Sequence, residues 1–307
     1  MNGLTLFLSW SFPAIAAPPT PQTIWRAWNA DPLLILALLL SAALYTRGLL
    51  ALWRRAGPGR GVRRSHVAAF AAGLLALAVA LLSPLDALSS ALLAAHMVQH
   101  LLLMLVAAPL LLLGLPPVAA AWALPRSPQL ARWWHRRPLL RRAWRALSHP
   151  GAAWLLYAGV LWLWHLPRFY EAALMNDTVH ALEHAAFLGA ALLFWWALFH
   201  ARALSSAGGA LYLFTTALHS GLLGALLTFA ATPWYPAYSV AAYAWGLTPL
   251  QDQQLAGVIM WLPGALIYLA AILILLGRWL YRQERRSPGD RRVVVPATRS
   301  PAETGTG

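Results

Sequence analysis

Cysteine is absent from the 307 residues of this chain, which excludes disulfides, Cys-ligated zinc, iron–sulfur clusters and thiol-based metal trafficking. Any metal must be held by histidine, methionine or carboxylate. Lysine is absent as well, so all 23 basic residues are arginine. Beside abundant Ala, Leu, Gly and Pro, this reads as a bias of genome composition and carries no functional meaning. Charge of either sign is scarce: 10% of residues are charged and 60% are hydrophobic, against about a quarter charged in a soluble domain. That excludes a water-soluble fold. The formal net charge is nevertheless +14, and its meaning depends on where the arginines lie. Phosphate-binding loops, dinucleotide fingerprints and nucleophile elbows are also missing.

Crossing roughly 30 Å of hydrocarbon takes about 20 mostly apolar residues in a helix. Seven stretches qualify: Leu33–Trp53, His66–Leu82, Ala91–Leu115, Gly151–Leu166, His180–Phe199, Ala210–Ala231 and Leu255–Leu276. The second and fourth are short. The expected fold is all-α, a polytopic bundle of about seven transmembrane helices over residues 31–284. Arg47, Arg54, Arg55, Arg60, Arg63 and Arg64 join the first two spans. Arg126, Arg132, Arg136, Arg137, Arg141, Arg142 and Arg145 lie between the third and fourth, and Arg202 between the fifth and sixth. The remaining cluster, Arg278 to Arg299, follows the seventh, so that Arg26 and Arg168 alone fall on the opposite side. By the positive-inside rule the crowded side is cytoplasmic, the N-terminus external and the C-terminus cytoplasmic. Attraction to the anionic inner leaflet accounts for the basic excess without a nucleic-acid partner. Asp31, Asp86, Glu171, Asp177, Glu183 and Asp252 all fall on the outer side or at outer helix ends.

Within residues 1–20, the apolar run Leu4–Ala17 is too short to span and carries an Ala14-Ile15-Ala16 pattern like a leader cleavage site, though without a basic start. Residues 285–307 are polar and rich in Arg, Pro, Ser and Gly, and are expected to form a disordered basic tail.

Five of the ten histidines belong to the outer third of this topology: His96 and His100 opening span three, His165 closing span four, His180 and His184 opening span five. The two i, i+4 pairs each stack on one helix face, with Cβ atoms about 5–6 Å apart, and both helices run inward from the outer face. The pairs are therefore expected at one depth, within reach of a shared metal. Met97 and Met104 offer thioethers, which favour Cu(I). The stretch His180-Ala-Leu-Glu183-His184 matches the H-x-x-E-H zinc-peptidase pattern, but lacks an evident third ligand. Asp86 and Asp252 are placed in outer loops, where solvation explains them. His219 is expected to hydrogen-bond a neighbouring helix. Trp162, Trp164, Trp234, Tyr235, Tyr238 and Trp245 read as an interfacial aromatic belt.

Several blocks together resemble the multi-spanning CtaG-type cytochrome c oxidase assembly factors: Ser83-Pro84-Leu85-Asp86, His96-Met97-Val98-Gln99-His100 running to Ala108-Pro109-Leu110, Trp164-His165-Leu166-Pro167, His180 to His184, Phe194-Trp195-Trp196, and Pro249 to Gly257 with Ile259-Met260-Trp261. The resemblance implies a role in maturing a haem-copper oxidase in a bacterial plasma membrane, by supplying or positioning copper. Its implied partners are oxidase subunits, a copper donor protein and membrane lipid. The leading expectation is thus a non-enzymatic factor binding copper through His96, His100, His180 and His184, with His165, Met97, Asp86 and Asp252 as lesser candidates. Two rivals stay open: a haem b redox protein with one axial histidine from each of spans three and five, and a scaffold that docks oxidase subunits.

Overall fold

A computed structural model describes residues 19–123, 136–200, 204–238 and 240–286. The leader-like run Leu4–Ala17 lies outside the described residues, as do Arg126, Arg132, His135, Arg202 and the tail beyond Arg286.

Among the described residues six helices are long and apolar enough to cross a membrane: α1 (Pro32–Ala56), α2 (Arg64–Leu82), α4 (Leu93–Leu113), α9 (Asp177–His200), α10 (Ser206–Thr228) and α11 (Pro249–Arg286). The shorter elements are α3 (Pro84–Ser89), α5 (Pro116–Ala123), α6 (Pro138–Leu147), α7 (Pro150–Trp164) and α8 (Pro167–Met175). The fourth expected span is α7, whose 15 residues rise about 22 Å, short of the hydrocarbon thickness. Its limits have a simple cause. Pro150 occupies the first turn, where a missing N–H costs nothing, and His165 ends the helix just before a second proline-initiated helix starts at Pro167. The seventh span runs further than expected, past Leu276 to Arg286. Arg278, Trp279, Leu280, Gln283 and Glu284 do not break a helix, so Arg285 and Arg286 belong to α11 and not to a tail.

The first turns show how local chemistry sets each start. Asp31 caps α1, its Oδ1 accepting from Leu33 N at 2.8 Å and Leu34 N at 3.3 Å. Asn176 does the same for α9 through Thr178 N (2.9 Å) and Val179 N (3.1 Å). At α4 the residue in the capping position is Leu92, which has no side-chain acceptor. Asp252, from the first turn of α11, supplies it: Leu93 N donates at 2.7 Å and Ala94 N at 3.0 Å. The helix dipole favours a carboxylate there.

Helix α4 is the axle of the bundle. Of its most apolar stretch 67% is buried, against 17–44% in the other five long helices. It packs on α2, α9 and α11, while α10 and α11 pair along their length and α7 lies against α9. The α10–α11 pair approaches closely at two glycines: a Cβ on Gly224 would lie 2.9 Å from the Gly257 carbonyl oxygen. Small residues at such a crossing bring backbones together in lipid, where apolar burial between helices provides no drive. The opposite faces carry exposed Leu36, Leu39 and Leu40 on α1 and Leu262, Leu266, Leu269 and Leu273 on α11. Water as solvent would penalise this much exposed leucine; a lipid acyl phase does not.

Within α4, residues Leu102–Ala107 wind as a π-helix. Pro109 follows two residues later and has no N–H to give to the Leu105 carbonyl, and Trp195 Nε1 on α9 donates to the Met104 carbonyl at 2.9 Å. A cross-helix donor thus takes up a carbonyl in the widened turn.

Candidate metal centre

The two histidine pairs meet. α4 and α9 are neighbours, and both begin at the same end of the bundle, so His96 and His100 on one face His180 and His184 on the other. The ring centroids are 4.2 Å apart for His96–His100, 4.2 Å for His180–His184, 5.4 Å for His96–His180, 6.0 Å for His96–His184 and 5.7 Å for His100–His184. Between them stands a fifth group. Glu183, fully buried, places Oε2 3.6 Å from His96 Nε2 and Oε1 3.8 Å from His100 Nε2. One ligand atom from each of His96, His100, Glu183 and His184 lies within 4.8 Å of all the others. His180 is half-buried beside them, at the mouth of the cluster.

The chemistry of the donors is unbalanced. His96 Nε2, both ring nitrogens of His100, His180 Nε2, His184 Nε2 and both oxygens of Glu183 are buried without a hydrogen-bond partner. Buried polar atoms are normally paired, and each orphan costs about 1–3 kcal/mol. A shared metal ion would satisfy one atom each of His96, His100, Glu183 and His184 at once, because these imidazole and carboxylate donors already converge.

A tyrosine layer orders one side of the cluster. Tyr238 donates its hydroxyl proton to the Ser89 carbonyl at 2.8 Å. A phenol has one proton, so in its 2.9 Å contact with Tyr170 the Tyr238 oxygen accepts. It also accepts from His96 Nδ1 at 3.5 Å. With its proton on Nδ1, His96 turns the Nε2 lone pair toward Glu183. Burial pushes the phenols of Tyr170 and Tyr238 up, which keeps them protonated and able to donate. Tyr170 comes from α8, its ring 5.0 Å from His96, and Tyr235 donates to the His165 carbonyl at 2.8 Å. Tyr235 and Tyr238 are therefore buried supports of the cluster, where the aromatic-belt reading had them at the lipid interface.

Two acidic candidates sit on helices, Asp86 on α3 and Asp252 on α11, and not in loops. Asp252 is fully buried with both oxygens committed to the start of α4. Asp86 accepts from Asn29 Nδ2 at 2.9 Å and Gln99 Nε2 at 2.8 Å; burial pushes its carboxyl above the usual carboxylate range, against the lowering effect of these bonds. Neither joins the convergent set. Gln99 also donates to the Ala80 carbonyl at 2.8 Å, tying α2 to the histidine turn of α4. Gln253 accepts from Trp234 N at 2.6 Å. The polar residues around the histidines thus hold the end of the bundle together.

His165 caps α7 with Nδ1 2.7 Å from the Leu161 carbonyl, and its Nε2 lies 3.4 Å from Met97 Sδ. Met104 is buried one step deeper along α4. His219, expected to bond a neighbouring helix, instead sits edge-on to Trp154 at 5.3 Å with both ring nitrogens unpartnered. Of the remaining histidines, His149 accepts from Gly151 N at 3.2 Å and His66 from Arg63 N at 3.2 Å, both as helix-start caps. Glu183 is the residue that spacing alone undervalued. Its signal was present: positions 180, 183, 184 and 187 share one helical face, so the carboxylate had to point where the histidines point.

A model of the cytochrome c oxidase caa3 assembly factor family (Caa3_CtaG) matches residues 43–282. Uncharacterized proteins of Mycobacterium bovis and Mycobacterium tuberculosis are each 29% identical to the chain over 290 residues, covering 92% of it and 43% of their own length. An uncharacterized protein of Mycobacterium leprae is 25% identical over 294 residues, with the same coverage. The chain thus spans less than half the length of the curated relatives it matches. No solved structure matches it. The family match runs from within α1 to within α11 and takes in every residue of the cluster; the chain belongs to the cytochrome c oxidase caa3 assembly factor family.

Proposed function

We propose that this chain is a non-enzymatic assembly factor that takes up copper at the His96, His100, His184 and Glu183 cluster and presents it to a haem-copper oxidase during maturation. The observation that carries the proposal is the convergence of four buried ligand atoms within 4.8 Å, most of them without any other partner. Three neutral imidazoles and one carboxylate bring a single negative charge, so a monovalent copper ion is neutralised and a divalent one leaves one positive charge. That limits the cost of holding an ion in a low-dielectric layer. His180, at the mouth, is placed to pass the ion between the outside and the buried ligands. The arginine distribution supports an orientation in which this end of the bundle faces outward in a bacterial plasma membrane, toward a copper donor and the oxidase's own copper sites.

A haem b protein is a weaker reading, because the cavity bordering the cluster measures about 30 Å³ and a cofactor pocket is roughly 300–1,000 Å³. The test is metal analysis and an absorption spectrum on protein purified without added metal, repeated after copper is supplied. Copper bound in stoichiometric amount with no Soret band is the expected result. A Soret band would establish the haem reading, and protein that binds neither would leave an oxidase-docking scaffold.

A further inference from the structure

The cavity that borders the cluster has an unusual lining. The chain contains five methionines, and of the four that follow Met1, three line this one space: Met97, Met104 and Met260. All three are buried. They come from two helices distant in sequence, and Met104 is presented from the π-helical segment of α4. His100 and His165 also line it, beside leucines, Gly264 and the hydroxyl-bearing Tyr157, Ser220 and Tyr268. The volume, about 30 Å³, is enough for a water-sized guest and far too small for an organic cofactor.

The decisive geometry is at His165. Its Nδ1 lies 2.7 Å from the Leu161 carbonyl oxygen, which can only accept, so Nδ1 carries the proton. In the neutral ring Nε2 is then a bare lone pair, and it faces the thioether sulfur of Met97 at 3.4 Å. Two Lewis bases oppose one another with no proton between them. Ligand distances of about 2.0 Å to nitrogen and about 2.3 Å to sulfur, taken from zinc as a guide, give a separation of about 3.4 Å when the angle at the ion is about 105°, close to tetrahedral. The pair is spaced as two ligands of one ion.

We infer that Met97, Met104, Met260 and His165 form a second metal site, for a soft monovalent cation of the Cu(I) class, directly inward of the histidine–glutamate cluster. Thioethers select Cu(I), whereas carboxylate and imidazole also suit harder ions. The inference rests on the copper reading and deepens it: the chain holds cargo at two stations of different chemistry. His100, with both ring nitrogens free of hydrogen bonds, borders both stations and links them. Met97 and Met104 are about two turns apart on α4, and both side chains line the same cavity.

The probe is Ag(I), a redox-silent cation of the same class, supplied as silver nitrate in chloride-free buffer to the purified full chain and measured by equilibrium dialysis. Wild type is expected to bind two Ag(I) per chain. Met104→Leu with Met260→Leu, both close to volume-conserving, should bind one, and His96→Ala with His184→Ala should also bind one. X-ray absorption at the silver edge provides a readout on wild type that needs no variant, with sulfur scatterers in the ligand shell as the expected result. A wild type that binds one ion, lost with the histidines and retained without the methionines, overturns the second site and leaves the first. Two ions retained by the methionine variant, or a shell without sulfur, also overturns it. Binding that survives loss of the histidines but not of the methionines overturns the cluster reading instead and keeps this one.

Discussion

Replacing Asp252 tests whether a carboxylate on α11 holds the start of α4 and, through it, the histidine turn. Asp252 is fully buried and receives two backbone N–H groups, at 2.7 and 3.0 Å. In Asp252→Ala both donors become buried orphans, at about 1–3 kcal/mol each, and the dipole interaction, about 0.3–1 kcal/mol, is lost too. The expected destabilisation is about 2–7 kcal/mol. At roughly 2–4 °C per kcal/mol, the unfolding midpoint should fall on the order of 10 °C. Asp252→Asn keeps one acceptor but turns an amide N–H₂ toward the second donor, so it should lose about half as much. His96 sits one turn beyond the capped residues, and fraying of Leu93 and Ala94 should therefore weaken copper binding in the same order, wild type above Asn above Ala. The assay is thermal unfolding in detergent followed by circular dichroism, with bound copper measured on the same preparations. An alanine variant that melts with wild type, or that outlasts the asparagine variant, would refute the capping argument.

Three further outcomes are expected. Reporter fusions near Arg60 and after Arg285 should report cytoplasm and fusions near Asp177 and Tyr243 the outside; the reverse pattern would put the cluster in the wrong compartment for the proposed role. Cells carrying His100→Ala with His184→Ala should accumulate oxidase of low activity and low copper content, partly restored by added copper through mass action on a weakened site; normal oxidase at normal abundance of the variant would leave the docking scaffold as the better account. Gly257→Ala would force a methyl group against Gly224 and Thr228 backbone, and should cost at least about 1–3 kcal/mol with a lowered unfolding midpoint, while Gly277→Ala, with open space around it, should not.

Much of this was legible before any coordinates because it depends on period and sign alone. Apolar run length revealed the long helices, and the i, i+4 spacing of His96 with His100 and of His180 with His184 placed each pair on one face. Running the same way from the same end puts the pairs at one depth, but that the two faces meet also takes α4 and α9 being neighbours, which no spacing reports. Asp252 was misread because its partners, Leu93 and Ala94, are 159 and 158 residues away, and nothing near it in the chain marks it as a cap. Tyr235 and Tyr238 were indistinguishable from an aromatic belt, since a tyrosine at a helix end serves either purpose and burial alone decides between them. Glu183 was seen within a peptidase-like pattern, and its meaning changed once His96 and His100 were found opposite it. The lone pair of His165 depends on the turn that ends α7, which no spacing rule reports.

The π-helical stretch Leu102–Ala107 sets a rotational phase. An α-helix advances about 100° per residue, and one residue wound into a wider turn shifts everything beyond it by about that angle. In α4 this lets the half bearing His96 and His100 face the cluster while the half bearing Ala108 and Leu112 seats against α2 and α9. Loss of a single residue from the stretch would leave the length, hydropathy and charge of the helix almost untouched, yet would turn its two halves against each other and deny one of them its partner. The register of the bundle is stored in that one extra residue, a quantity to which composition is blind.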